Sequence, residues 1–569
     1  MDLQFILLFY AVVFSGLGTA AAVDKEYEDR LAFSSGEVGN IFSDDKGQIE
    51  LVIKNTSEMT SGKVFLRNEE QRLLNEYPIP RDIGRLKIDL PSKGFYSIEA
   101  AVNYRDGSMA IKKTTAAVIG KPIPDTERNR SRFGLWHVSG TPRSAEIAGA
   151  RWTRGMWELI DYQLDPKGNI VSPEIKQPFY SHMTWIGTFA GSLPEWVTGK
   201  SNREKGILYP PKDWQQFESL VKQFAKDLKE FPPYFEAFNE PDAHWKGTDT
   251  ELVMFESVMA KAIKSVYPET KVFGPSLYNI DIQKLRKLVE IGLLESMDGL
   301  VMHAYVNGTP PEGEFIDRIK NLKVYLASIG KADFPVYITE FGWTSAAGTW
   351  QRPVNELTQA RYLSRSLTLL ATEDINAYIY FCLLYKNAPN PGEAEFSILH
   401  QDQTPKPAYA AYSNTARWLL GVSGGRWLRV GQSANMALFR NGADTVVVAW
   451  DAEGSPSLFT ELVPQSTEDM MGRNISNGFS GVPLNNGPVF IRISDKSLFD
   501  MVLSNPLSIN RGGSVAVPFK DSWGSNVFKI KGGALEIQPN APAGPYIIMG
   551  LTSTGWQGLS LDVREPDKR

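Results

Sequence analysis

FEAFNEPD (235–242) and PVYITEFGW (335–343) decide the fold of this chain. Each is a short apolar, β-branched or aromatic run with a glutamate near its end, where a buried strand would stop. The two glutamates, Glu240 and Glu340, stand 100 residues apart. A (β/α)8 barrel takes about 250 residues for eight units, roughly 31–35 each, so three units span about 100. That spacing predicts Glu240 at the end of barrel strand 4 and Glu340 at the end of strand 7. Strand ends of such a barrel open onto its C-terminal face, so both carboxylates would look into one pocket.

The rest of the segment 132–420 alternates strand and helix signals. The predicted strands are 133–138, 150–154, 182–189, 234–240, 271–275, 299–305, 336–341 and 377–382. Between them lie amphipathic helices. WQQFESLVKQFAKDLKEF (214–231) carries Phe217, Leu220, Val221, Phe224 and Leu228 as an i, i+3, i+4 stripe. The alternation argues for a parallel sheet closed as a barrel. An open doubly wound sheet is the rival, but no Gly-rich nucleotide fingerprint follows the first strand.

The flanks read as β. Runs at 49–55, 84–90, 95–104 and 112–120 alternate apolar and polar residues between turns, which suggests an immunoglobulin-like β-sandwich over 23–125. Residues 122–131 read as a linker, and 126–420 as the catalytic (β/α)8 TIM barrel. Strand-like runs return after 421. They divide into a β-sandwich packed on the barrel (421–497) and a second small β-module (498–569). Residues 1–22 have an apolar core from Phe5 to Leu17 and end in Ala20-Ala21-Ala22, as a signal peptide does. The first four residues carry Asp2 and no Lys or Arg, which fits that pattern poorly, so a retained anchor is the alternative. No other stretch is long and apolar enough to span a bilayer. A secreted, periplasmic or surface location follows as the expectation.

Composition narrows the chemistry. The net charge is −5 with no long basic run, which speaks against nucleic acid. The single cysteine, Cys382, permits neither an intrachain disulfide nor a cysteine metal site. His-Glu-x-x-His is absent, so no catalytic metal is expected. No cofactor is called for. Nine of the 14 tryptophans fall between residues 136 and 350. Aromatic faces pack on the C–H faces of sugars, although core packing is the alternative for each.

Two carboxyls across one pocket suit glycoside hydrolysis. One protonates the leaving oxygen and the other meets the anomeric carbon, at about 5–5.5 Å separation in retaining enzymes. Glu240 is the expected acid/base and Glu340 the expected nucleophile. Asn239, just before the acid, is placed to bind a sugar 2-OH.

Asn-Glu-Pro at one strand end and Ile-Thr-Glu-Phe-Gly at another resemble glycoside hydrolases of clan A. The closest resemblance is to family 39 and the bacterial exopolysaccharide glycosidases near it. ARWTRGMWELI (150–160) looks like the second strand and following helix of that family, and TPKPAYAAY (404–412) like its entry into the last helix. The resemblance implies that His303 and Tyr305, in VMHAY, contact sugar and nucleophile, and that Arg154 lies near the nucleophile. Clan members commonly end strand 8 in a tryptophan; here Phe381 or Tyr385 stands in its place. His137, Trp185, Trp245 and Trp343, at or near strand ends, complete the candidate substrate-binding set. The expected function is a secreted retaining β-glycosidase acting on a polysaccharide or oligosaccharide, with endo action favoured by the accessory β-modules. An exo-acting β-xylosidase-like enzyme and an inactive carbohydrate-binding protein are the alternatives.

Overall fold

A computed structural model describes residues 30–564, apart from 45, 176–181, 201–206, 229, 431–433, 453–457, 460–464, 476–481, 484–485, 494–506, 517–520, 524–527, 532, 542–543 and 553–554. The expected signal peptide lies outside the described residues. Among these residues no helix is long and apolar enough to cross a membrane. The chain divides into two compact units, 1–120 and 121–569.

The first unit is all β. Its strands are β1 (Leu31–Ser34), β2 (Ile41–Phe42), β3 (Gly47–Ile53), β4 (Met59–Arg67), β5 (Leu73–Pro78), β6 (Arg85–Leu90), β7 (Gly94–Tyr104) and β8 (Met109–Val118). They form a sheet of order β1-β3-β6 and a second of order β2-β8-β7-β4-β5. Period-2 alternation supplies the core: Ile49, Leu51 and Ile53 from β3 meet Val64, Leu66, Ile98 and Val102 from the other sheet.

The second unit opens with the short helix α1 (Asp125–Arg128), inside the expected linker. Eight parallel strands follow: β9 (Phe133–Leu135), β10 (Trp152–Glu158), β13 (Thr184–Ala190), β14 (Tyr234–Glu236), β15 (Lys271–Phe273), β16 (Leu300–His303), β17 (Val336–Glu340) and β18 (Ala377–Tyr380). Each overlaps one predicted strand. Their order is β15-β14-β13-β10-β9-β18-β17-β16. Parallel bridges Phe273 to Gly299 and Leu277 to Met302 join the two ends, so the sheet closes as a (β/α)8 barrel. Trp152, Ile186, Phe273, Val301, Tyr337 and Ile379 fill its interior.

Helices α2 (Pro142–Ile147), α3 (Glu195–Thr198), α4 (Trp214–Asp227), α5 (Pro241–His244), α6 (Asp249–Val266), α7 (Ile282–Ile291), α8 (Ile316–Ser328), α9 (Glu356–Thr372), α10 (Pro391–Ala394) and α11 (Pro407–Trp418) surround it. The Asp213 side chain caps α4 by accepting from the amides of Gln215 and Gln216. The helix buries the expected Phe217, Leu220, Val221 and Phe224. It stops at Asp227, earlier than the predicted 231, because Leu228 is extended and Pro232 and Pro233 follow. One expectation is corrected. The run 150–160 holds no helix: β10 continues to Glu158, and a hairpin of β11 (Gln163–Leu164) and β12 (Ile170–Val171) follows. Asp165 sets its turn by accepting from the amides of Lys167 and Asn169.

After α11 the chain forms β19 (Ser423–Val430), β20 (Ala434–Asn441), β21 (Asp444–Asp451), β23 (Ser466–Glu468), β25 (Val489–Ile493), β26 (Leu507–Asn510), β28 (Asp521–Trp523), β31 (Gly544–Thr552) and β32 (Gly555–Arg564), all in one nine-stranded sheet. Two smaller sheets pair β22 (Leu458–Phe459) with β24 (Val482–Pro483), and β27 (Ser514–Ala516) and β29 (Phe528–Lys531) with β30 (Ala534–Ile537). The boundary expected at 497/498 therefore falls within a sheet, because β19 pairs with β31. Buried polar contacts brace this region on the barrel. Glu312 bonds the Arg365 guanidinium and accepts from the Trp450 indole at 2.7 Å.

Candidate active site

Residues at or just past the ends of β14, β15, β16 and β17, with Arg154 from within β10, form one polar cluster. β14 ends at Glu236, and the next four residues carry the chain over the barrel rim to Glu240. Backbone bonds fix that passage: Asn239 N–H donates to Phe189 O (2.7 Å) and Glu240 N–H to Ser276 O (2.9 Å). Glu240 has φ 49°, the left-handed region, which costs a non-glycine residue about 1–2 kcal/mol. Such strain persists only where neighbours over-determine the conformation.

Glu340 is the last residue of β17 and is buried. The Arg154 guanidinium, from β10, bonds its Oε1, and the Tyr305 hydroxyl donates to Oε2 at 2.8 Å. Arg154 is fully buried and lies over the Trp136 ring at 4.8 Å. It also donates to Glu236 and, at 2.8 Å, to Asn239 Oδ1. That last bond fixes which way the Asn239 amide points, leaving its NH2 as the free end.

His303, the last residue of β16, bridges the two glutamates. Its Nδ1 lies 2.7 Å from Glu240 Oε1, and its Nε2 lies 3.0 Å from Ser276 Oγ and 3.4 Å from Glu340 Oε1. Ser276 Oγ in turn donates to Glu236 Oε2 at 3.3 Å. Burial lowers the basicity of His303, so the ring is neutral. A neutral imidazole has one donor and one acceptor. Nδ1–H can donate to Glu240 Oε1 whether that carboxyl is protonated on Oε2 or ionised, and the Ser276 hydroxyl then has Nε2 and Glu236 Oε2 as acceptors.

The environments of the two carboxyls differ. Burial carries Glu240 up to about 7, against the pull of Arg154 and His244. Burial also raises Glu340, while His303, Arg154 and the Tyr305 hydroxyl act against the rise. Only Glu340 receives a guanidinium hydrogen bond, so a proton shared by the pair resides on Glu240. Glu240, His303 and Glu340 also form a group whose potential ligand atoms all lie within 4.8 Å of one another. Arg154 already supplies a cation to Glu340, which opposes a metal ion at the same oxygens.

Of the residues expected from sequence, Glu240, Glu340, Asn239, His303, Tyr305 and Arg154 converge here. Phe381 joins them: its ring lies 6.4 Å from Tyr305 and 5.2 Å from Trp136. His137 stacks between Trp136 (4.4 Å) and Tyr385 (3.9 Å), and burial lowers its basicity to about 4, so it is neutral. Three tryptophans do not present free faces to this cluster. Trp185 alternates with the inward Ile186 and so faces the helix layer, against Trp157. Trp343 is 1% exposed, packed between Phe315 and Tyr362 with its indole N–H on Thr309 O. Trp245 is half-buried on Phe255, its indole N–H bonded to Thr248 O. Sequence reasoning missed Glu236 and Ser276. A carboxylate at an inward position of a buried strand was the available signal for Glu236.

The family 39 glycoside hydrolase from the gut symbiont Bacteroides cellulosilyticus WH2 superposes on this chain with a TM-score of 0.63. At 18% identity the match covers 81% of this chain and 100% of that one. The two proteins share a fold. A GH39 enzyme from Xanthomonas axonopodis pv. citri matches at TM-score 0.44 and 14% identity, over 65% of this chain and 94% of its own. The catalytic domain of GH30 xylanase C from Talaromyces cellulolyticus matches at 0.45 and 13%, over 63% and 96%. No protein-family model matches the chain, and no curated protein matches it in sequence.

Proposed function

We propose that this chain is a secreted retaining β-glycosidase that cleaves within a β-linked polysaccharide. The observation that carries this reading is the carboxyl pair. One oxygen of Glu240 and one of Glu340 lie within 4.8 Å. That scale suits the roughly 5–5.5 Å between the carboxyls of retaining enzymes.

In this mechanism Glu340 attacks the anomeric carbon as Glu240 gives its proton to the departing glycosidic oxygen. A glycosyl ester on Glu340 results. Glu240, now a carboxylate, takes a proton from water, and the water oxygen displaces Glu340. His303 Nδ1–H donates to Glu240 Oε1 throughout, which leaves Oε2 to carry the proton that passes to the glycosidic oxygen and is regained from water. The free NH2 of Asn239 is available to a sugar hydroxyl. Glu240 must hold its proton in the first step, so kcat/KM is expected to fall as pH rises through about 7.

The test uses dinitrophenyl β-glycosides of several sugars. Glu340→Ala should abolish turnover. Glu240→Ala should retain the first step with this good leaving group, stall at the ester, and recover with azide as an external nucleophile. Wild-type-like turnover in either variant overturns the assignment. An inverted first product, seen by proton NMR, excludes Glu340 as nucleophile. Endo action predicts a ladder of oligosaccharides from a polysaccharide; single sugars from one end would assign exo action instead.

A further inference from the structure

Trp350 is 52% exposed and is the one aromatic residue among the exposed large hydrophobic side chains described. Leaving an indole in water forgoes a large apolar burial, so its position needs a cause. The loop after β17 is not loose there. The next residue, Gln351, is buried (2% exposed) and anchors the loop with its amide. Its Nε2 donates to Val306 O and Gly342 O, both at 2.8 Å, and its Oε1 accepts from Thr344 N–H at 2.7 Å. Arg352 N–H donates to Asn307 Oδ1 at 2.8 Å on the far side. An exposed ring is thus held by a fully bonded buried neighbour.

What it touches gives the ring its purpose. The Trp350 ring meets Tyr305 edge-on at 5.6 Å and Tyr278 at 5.5 Å. Tyr305 is the residue whose hydroxyl holds Glu340. The Tyr278 amide donates to Asp242, two residues beyond Glu240. In such T-shaped pairs one ring gives its edge and the other its face, and at half exposure the indole keeps apolar surface uncovered beside both tyrosines. A β-linked pyranose carries its axial C–H bonds on the ring faces, which makes each face an apolar disc that fits an indole.

We infer that Trp350 is the platform for a pyranose unit of the substrate adjacent to the unit held over Glu240 and Glu340. This rests on the glycosidase reading. Gln351 is the positioning residue of the platform. The tryptophans at 185 and 343, by contrast, are packing residues.

Titration calorimetry on the full chain carrying Glu340→Gln tests this, with β-linked gluco-, xylo- and manno-oligosaccharides of one to five units as probes. Adding Trp350→Ala should weaken oligosaccharides about tenfold, the affinity that burying roughly 60 Å² of apolar surface supplies. Single sugars should be unaffected, Trp350→Phe should restore most of the loss, and the melting temperature should not move. Unchanged affinity for every oligosaccharide that the parent binds overturns the platform while leaving the glycosidase reading in place. So does a loss that accompanies a lower melting temperature and is not recovered by phenylalanine. If the parent binds none of the probes and the wild type hydrolyses none, the glycosidase reading falls, and the platform with it.

Discussion

Removing one oxygen atom from Tyr305 should move one limb of the pH profile and leave the other in place. The hydroxyl donates to Glu340 Oε2 at 2.8 Å, and Arg154 serves the other oxygen. Tyr305→Phe therefore leaves Oε2 without that donor, in a site where both residues are 5% exposed and water cannot readily substitute. Burial and the nearby Glu340 push the tyrosine well above its ordinary range, so in the wild type it is a donor throughout the working pH range. A hydrogen bond to a charged group contributes about 1.5–3 kcal/mol. At 1.36 kcal/mol per unit, losing it should raise the acid limb of kcat/KM by about one to two pH units. The sign follows from the proposed role, in which Glu340 attacks as the carboxylate, and the variant disfavours the carboxylate. The alkaline limb belongs to Glu240, near 7, and should stay. The two limbs then approach each other, and the maximum falls because less enzyme carries its single proton on the right carboxyl. The assay is kcat/KM for an aryl β-glycoside from about pH 4 to pH 9, where the limbs report the free enzyme. An acid limb that does not move, or an alkaline limb that moves instead, refutes the assignment of Glu340 as the ionised partner.

Three other outcomes are expected. Glu256, on α6, is fully buried, and burial holds its carboxyl well above the usual range. A raised carboxyl stabilises the fold below the unfolded pKa and loses that contribution as pH rises, so Glu256→Gln should gain melting temperature over wild type progressively from about pH 5 to pH 8. A methyl group at 274 would run into that same carboxyl, so Gly274→Ala should destabilise by about 1–3 kcal/mol, and less in a Glu256→Ala background. Glu312→Ala strips the buried Arg365 and Trp450 of their shared partner and should cost about 3–5 kcal/mol by urea melt, whereas replacing Glu312 and Arg365 together by Leu and Met should cost far less.

How much of this was legible depends on whether a feature is local. Barrel strands are short apolar runs between polar loops, and each run carries that signal by itself; all eight were found. The carboxyl pair needed only the residue count per unit. Which face a residue takes is also local, and alternation could have sorted the tryptophans: Ile186 points into the barrel, so its neighbour Trp185 must point out. The same alternation would have flagged Glu236, which was hidden by reading the strand through to Glu240 when it stops four residues earlier. Three features were not local. β19 and β31 pair Arg429 with Tyr546, a contact that no window of sequence contains. Trp350 stands free because Gln351 bonds backbone on two other segments. The chain from Glu240 through His303 and Ser276 to Glu236 crosses β14, β16 and the segment after β15, and it exists only at one register of those strands. A one-residue slip of β16 would turn His303 out of the barrel and leave both glutamates without their bridge. The sequence pattern therefore locates the two carboxyls, while the parallel register decides that they hold different numbers of protons.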